Sequence, residues 1–370
     1  MKQIGIFIPS LAGGGVQRAM LVLSRSFIEH GYGVDLILVR ASGPFLRQVP
    51  DKVRLIDLGA NRALGALPRL IKYLQKNNPS ILISGQTHIN AIAILARWLS
   101  KVDTKLIVTE QNDLLQALKI DQNIKEKFRP YIVRYLYPYA ENIVAISEGV
   151  AEDLKTISDG KIKQIIVINN PIDITDIQQK AEASIQHPWF FQKKIPVILA
   201  VGRLVKQKDF ITLLNAFALV RNKMPVRLII LGEGEERAVL ENLSKNLGIS
   251  QDVCLPGFAD NPFSYMSHAD VFVLSSIWEG FANVLAEALA CNLAVVATDC
   301  RSGPAEILGN GSYGSLVPVQ DPKALADAII HELNFPRAKN ILKQRANNFS
   351  MDKILPQYLD LLQKTSENHS

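Results

Sequence analysis

Residues 275–298, "SSIWEGFANVLAEALACNLAVVAT", leave the apolar run "DVFVLSS" (270–276), pass through an aromatic-glycine turn into a helix, and emerge into "AVVATD" (294–299). A strand, a helix and a second strand in so short a span make a crossover of the kind that joins parallel strands. Two glutamates eight positions apart, Glu279 in the turn and Glu287 on the helix, interrupt residues that otherwise read as core. One carboxylate can enter a cleft from the loop and the other from the helix face. Carboxylates accept paired hydrogen bonds from vicinal hydroxyls, as on a sugar or a ribose. They also complement the positive end of a helix dipole, and the spacing alone does not choose between these roles.

The same rhythm extends in both directions. Upstream lie "IGIFIP" (4–9), "VDLILV" (34–39), "VRLIDL" (53–58), "ILIS" (81–84), "KLIVT" (105–109), "NIVAIS" (142–147) and "IIVIN" (165–169). After "NNPIDITD" it restarts with "PVILAVG" (196–202), "VRLIILG" (226–232) and "VCLPG" (253–257), leading into the opening stretch. Near-continuous apolar strands separated by helices predict parallel sheets covered on both faces. At 370 residues the chain is too long for one ordinary core, so two Rossmann-like α/β domains are expected. Asn170-Pro171 marks the boundary, because a residue before proline avoids the helical region. The division is 1–172 and 173–349, with a last amphipathic segment, about 350–366, crossing back onto the first domain. Ligands are then expected at the carboxyl ends of the strands, in a cleft between two facing sheets.

Composition narrows the classes. The chain is 48% hydrophobic and 21% charged, without low-complexity tracts, which fits a compact globule. The N-terminus lacks the layout of a signal peptide, and no run reaches the roughly 18 apolar residues of a membrane span. A cytosolic protein is expected. Cys254, Cys291 and Cys300 have no metal-site spacing and read as buried free thiols. The net charge of +6 is uneven: residues 1–168 hold 22 Lys and Arg against 14 Asp and Glu, a surplus of 8, and the remainder is at −2. Such asymmetry points to an anionic surface or ligand. No recognised nucleic-acid module accompanies it, so a nucleic-acid partner is not expected.

Two further loops carry chemistry. In "FIPSLAGGGVQRAML" a strand ends near Pro9 and a helix begins near Val16, with Gly13, Gly14 and Gly15 between them. Glycines admit an anion to backbone N–H groups, and the helix start adds its dipole; a permissive turn would look the same. In "AVGRLVKQKDF", Arg203 and Lys208 follow a strand, five residues apart, where a guanidinium and an ammonium can converge on one multiply charged oxyanion. "LGEGEER" (231–237) lacks a third glycine and is followed by acids, so a nicotinamide or flavin site is weak there.

Together "GRLVKQKD", "FVLSSIWEGFANVLAEALAC", "SGPAEIL", "GGGVQRAM" and "NNPID" resemble the signature blocks of glycosyltransferase family 4. They occur in family order over nearly the whole chain. The resemblance implies the GT-B fold and a retaining, metal-independent hexosyltransferase using a nucleotide-sugar, most commonly a UDP-sugar such as a UDP-hexose or UDP-N-acetylhexosamine. It implies that Glu279 meets donor sugar hydroxyls, that Glu287 holds the ribose, and that Arg203 and Lys208 neutralise the diphosphate. Gly14 and Gly15, and the turn Gly280, Phe281, Ala282, Asn283 and Val284, approach the phosphates. Phe258 stands where the family holds the base through its main chain. No DxD motif occurs, so neither a metal nor another cofactor is expected.

The chain also departs from the family pattern. Gln17 replaces a common glutamate. "VTEQND" offers Glu110, Gln111 and Asn112 where many relatives carry a histidine, and "ACNLAVVAT" lacks the usual glycine and proline. Glu110, Asn112, His88 and Gln17 are the candidates for acceptor or sugar contacts. The acceptor is a glycan or a lipid-linked sugar. In 119–141, Lys119, Lys125, Lys127, Arg129 and Arg134 alternate with Phe128, Tyr131, Tyr135 and Tyr137, a pattern that suits an anionic membrane surface on the inner face or simply a half-buried helix. The competing functions are a GT-B epimerase or phosphorylase, and a non-catalytic nucleotide-sugar-binding subunit.

Overall fold

The computed structural model describes residues 2–120, 124–191 and 195–367. Seven strands form the first sheet: β1 Gln3–Ile8, β2 Gly33–Leu38, β3 Arg54–Asp57, β4 Ile81–Gly85, β5 Lys105–Glu110, β6 Asn142–Ala145 and β7 Ile166–Val167. Their order is β3-β2-β1-β4-β5-β6-β7, parallel throughout. Each of the seven apolar runs upstream of the boundary becomes a strand. The second sheet holds β8 Val197–Val201, β9 Arg227–Leu231, β10 Val253–Gly257, β11 Val271–Leu274, β12 Ala294–Thr298 and β13 Ser315–Val317, in the order β10-β9-β8-β11-β12-β13. β13 escaped the sequence reading. It has three residues and follows Gly314, too short for any hydrophobic period to register.

The chain divides into two compact units, Met1–Pro171 with Met351–Ser370, and Ile172–Ser350. In the first, the helix Met351–Glu367 packs on the helix Gly15–Glu29: Ile354, Leu355, Tyr358, Leu361 and Leu362 join the same core as Phe27 and the inner strands. Tyr358 meets the edge of Phe27, with centroids 6.3 Å apart. Each such side chain contributes roughly 1.5–3 kcal/mol on burial, enough to hold the returning helix through its apolar stripe. The second unit has its own core across β8, β9, β11 and β12, built with Phe210, Leu213, Leu214 and Phe217 of the helix Phe210–Lys223.

Asp35 is a buried carboxylate inside β2 that the apolar pattern hid. It accepts from Arg54 Nε at 2.7 Å, Tyr73 Oη at 2.5 Å and Gln3 Nε2 at 2.7 Å. These donors come from β1, β3 and a flanking helix, so the charge ties three elements together and is satisfied where it stands.

Candidate functional site

Chain order reverses in the second sheet where β8 lies beside β11. Loops leaving those strands are neighbours at the carboxyl edge, the place where open parallel sheets collect ligands. After β8 a turn of 3-10 helix, Lys206–Lys208, carries Lys208; after β11 the loop carries Glu279. Lys208 Nζ forms an ion pair with Glu279 Oε1, and Ser276 Oγ donates to the same oxygen at 2.6 Å. Glu279 Oε2 has no hydrogen-bond partner among the described residues. The two side chains are 15% and 9% exposed, so solvent screens their attraction less than on a surface.

Several contacts fix this pair in place. Ser275 Oγ donates to the Lys208 carbonyl at 2.7 Å, Gln207 Nε2 to the Trp278 carbonyl at 2.9 Å, and Thr298 Oγ1 to the Ser276 carbonyl at 2.6 Å. The Lys208 stem lies along Gly202, where a Cβ would stand 3.2 Å from Lys208 Cε. Asp209 accepts from Thr212 and caps the helix that follows. Arg203, on the same loop, is exposed and forms no ion pair among the described residues.

The "GEGEE" segment, read as a poor cofactor loop, has a different part. A Cβ on Gly232 would stand 1.8 Å from the Gly202 carbonyl oxygen, and one on Gly234 2.3 Å from that of Leu204. Leu204 N–H donates to Glu233 O at 2.9 Å and Glu236 N–H to Leu204 O at 3.0 Å. The glycines let this backbone brace the loop bearing Arg203 and Lys208. Their spacing in sequence was the available signal, and its meaning depended on which loop lay opposite.

Beyond Glu279 the chain turns through Gly280 and Phe281 into the helix Asn283–Ala290, with Ala282 held left-handed at φ 64° and ψ 55°. Phe281 is buried, edge-on to Phe349 at 5.4 Å. A Cβ at Gly303 would fall 2.4 Å from the Phe281 carbonyl oxygen, so that glycine permits the close approach. Val284 is half-buried, and Glu287 is buried on the helix. Burial, and then the Glu287 charge, push the Cys291 thiol up to about 12; burial also raises Cys254. All three cysteines are free, Cys300 is buried, and the other two are half-buried. Phe258 follows β10 with its ring half exposed.

Residues 13–176 match the model of Glycosyltransferase Family 4, and residues 182–349 that of Glycosyl transferases group 1. The N-acetylgalactosamine-N,N'-diacetylbacillosaminyl-diphospho-undecaprenol 4-alpha-N-acetylgalactosaminyltransferase of Campylobacter jejuni is 32% identical over 368 residues, covering 96% of this chain and 97% of that one. The chain belongs to glycosyltransferase family 4. The structure of a glycosyltransferase from Rickettsia africae superposes with a TM-score of 0.80 at 18% identity, over 99% of both chains. That of Anabaena HepE in complex with UDP gives 0.74 at 18% identity, over 98% of this chain and 100% of that one. The fold of the transferase is GT-B.

In the first unit of the transferase the reversal lies between β1 and β4. After β1, Gly13 and Gly14 adopt φ of 99° and 125°, and the helix starts at Gly15 with Gln17 half-buried in its first turn. After β4, Gln86 at φ 82° leads into the helix Thr87–Ser100, with His88 exposed at its start. Gly13, Gly14 and Gln17 after β1, and Gln86 and His88 after β4, flank one switch point.

Glu110 is a correction. It ends β5, but its side chain is fully buried and its oxygens are taken: Oε2 accepts from Tyr137 Oη at 2.5 Å and Thr87 Oγ1 at 2.9 Å, and Oε1 from the amides of Gln111 and Asn112. Burial raises its pKa, and these hydrogen bonds with the nearby Arg129 charge only partly offset the rise. A sealed carboxylate cannot meet a sugar in this structure; Asn112, half-buried beside it, remains at the surface.

The 119–141 reading also changes. Tyr137 is core, donating to Glu110 and accepting from Asn90 Nδ2 at 2.8 Å. Arg129 is half-buried and acts on Glu110, and Lys125 lies outside the described side chains. Among the described residues no His, Cys, Asp and Glu side chains group so as to hold a metal, and no helix is long and apolar enough to cross a membrane.

Proposed function

We propose that this family 4 transferase moves a hexose or N-acetylhexosamine from a UDP-sugar, with retention, to a glycan or lipid-linked acceptor in envelope glycan synthesis. One observation carries the reading: Lys208 and Ser276 converge on a single oxygen of Glu279 at the β8/β11 switch, and Oε2 is left to accept from a ligand hydroxyl. A sugar hydroxyl bound there would lie beside an ammonium that can turn to the leaving phosphate. UDP in the Anabaena relative supports the choice of donor, and the lipid-diphosphate named for the Campylobacter relative supports the choice of acceptor.

As the anomeric C–O bond breaks, negative charge grows on the departing diphosphate, and fixed cations stabilise it more than they stabilise the bound donor. Lys208 and Arg203 take that part without a metal ion. The acceptor oxygen bonds to the anomeric carbon from the face the phosphate leaves, and its proton passes to a phosphate oxygen. Glu279 holds the sugar, Glu287 the ribose, and the turn Gly280–Val284 the phosphates.

A thermal-shift panel of UDP-, GDP- and TDP-sugars tests the donor, since a ligand at about 100 times its Kd adds roughly 2.7 kcal/mol. UDP-sugars should shift the wild type and fail to shift a Lys208→Ala/Arg203→Ala variant. Preference for another base refutes the donor choice, and turnover abolished by chelator refutes the metal-free mechanism.

A further inference from the structure

We propose that Glu236 is a positioning residue for donor binding: it acts on Lys206 beside Arg203 and Lys208 until the donor's diphosphate draws that lysine away, and it then takes up a proton. Glu236 is the N-cap of the helix Arg237–Asn246. A polar side chain there ordinarily accepts from the first amides of the helix, but this one makes no such bond. The residue is 7% exposed, and its Oε2 is buried with no hydrogen-bond partner among the described residues. A buried polar oxygen without a partner calls for a reason. The Glu236 amide donates to the Leu204 carbonyl at 3.0 Å, which anchors this acid to the loop that carries Arg203 and Lys208.

Three charges act on the Glu236 carboxyl. Lys206, on the 3-10 turn Lys206–Lys208, favours its ionised form, while Asp209 and the adjacent Glu235 oppose it. Asp209 is itself buried and holds Thr212. Arg237, the first residue of the helix, is turned to Glu233, Glu241 and the Leu255 carbonyl. Burial is the largest influence and raises the Glu236 pKa above the ordinary 4.5, so its charge depends on Lys206. That lysine is exposed and in no ion pair among the described residues, and its four-carbon stem leaves it free to turn. A diphosphate held by Arg203 and Lys208 attracts it. Glu236 then loses its favourable neighbour and gains an anionic one, and both changes favour the protonated acid. The neutral carboxyl no longer repels the phosphates. This coupling deepens the donor assignment proposed above and rests on it.

Titration calorimetry of the full chain with UDP-glucose, in two buffers of different ionisation enthalpy and from pH 4.5 to mildly alkaline pH, tests the coupling. Esterified at both ends, the donor's diphosphate lacks the ionisation at about pH 6 of a phosphate monoester, so protons taken up on binding come to the protein. Net proton uptake is expected. The wild-type Kd should rise with pH through the Glu236 titration, by up to about tenfold per unit. Glu236→Gln, which fixes the neutral form, should take up no proton and keep the low-pH affinity throughout, binding more tightly than the wild type at high pH. A merely structural role would not give that gain. Lys206→Ala should weaken binding about two- to fivefold, as for an exposed charge, and erase the gain from Glu236→Gln. Binding without proton uptake, equal pH slopes in wild type and Glu236→Gln, or the same gain in the absence of Lys206 would overturn the coupling and leave the donor assignment standing. Binding of GDP- or TDP-glucose alone, with the same slope, would keep the coupling and refute the choice of base. No binding of any of the three would refute both.

Discussion

Glu110 and Glu279 are both buried carboxylates at the carboxyl end of a parallel sheet, the first as the last residue of β5 and the second in the loop after β11. Around Glu110 two hydroxyls and two amides occupy both oxygens. Around Glu279 an ammonium and one hydroxyl crowd onto Oε1, and Oε2 has no partner among the described residues. The first is a structural knot, its acceptor capacity used by the chain itself. The second keeps capacity in reserve, and its main partner is a flexible side chain that can be redirected. Burial of a carboxylate thus says little about function; the count of its partners and their freedom say more.

The largest test of that contrast is Lys208→Ala. Transfer should slow about a hundred- to a thousandfold, some 3–4 kcal/mol of transition-state stabilisation, with the circular dichroism of the wild type. A loss of only a few fold would mean that Lys208 merely neutralises Glu279. Next comes Ser276→Ala, which removes a buried hydrogen bond to a charged oxygen without touching ligand. The expected loss is about 1.5–2 kcal/mol, or roughly ten- to thirtyfold in kcat/KM for donor, and Ser276→Thr should restore part of it. No change would separate Ser276 from the positioning of Glu279.

At Glu110 the contrast predicts a pH effect on stability and none on donor binding. Its pKa is raised in the folded state, chiefly by burial, so its contribution is fully present below the ordinary carboxylate value of 4.5. It is lost as pH climbs through the raised value, because the folded protein holds the proton longer than the unfolded chain. Urea unfolding of wild type and Glu110→Gln across acid to neutral pH should show a decline in the wild type that the variant lacks. Parallel curves would break the assignment. The smallest effect is at Ala282, where φ 64° strains a residue with a Cβ. Ala282→Gly should change stability by no more than about 1 kcal/mol, upwards, and weaken donor binding only slightly by loosening the turn; a large drop in the melting temperature would show that the methyl group packs.

Much of the fold was legible because its signal is local. Seven apolar runs gave the first sheet and five gave most of the second, and Asn170-Pro171 lies at the edge of the division between the two units. Arg203, Lys208, Glu279 and the Gly13–Gly15 turn were legible as residue types just past strands. Harder to read were the features that need a partner from elsewhere in the chain. Glu110 read as a candidate for an acceptor or sugar contact because Tyr137, 27 residues away, reaches it only once β5 and the following helices are packed. Gly232 and Gly234 looked like a failed cofactor loop until Gly202 and Leu204 stood opposite them.

By itself, then, the sequence determined the alternation of strand and helix, the two sheets, the family and the loops that carry charge, since these follow from hydrophobic period and local turn chemistry. Only the tertiary structure decided which carboxylate is sealed and which is available, which glycines brace the Lys208 loop, and which aromatics face out. Those outcomes depend on strand order, and strand order is set by packing between segments far apart in the chain.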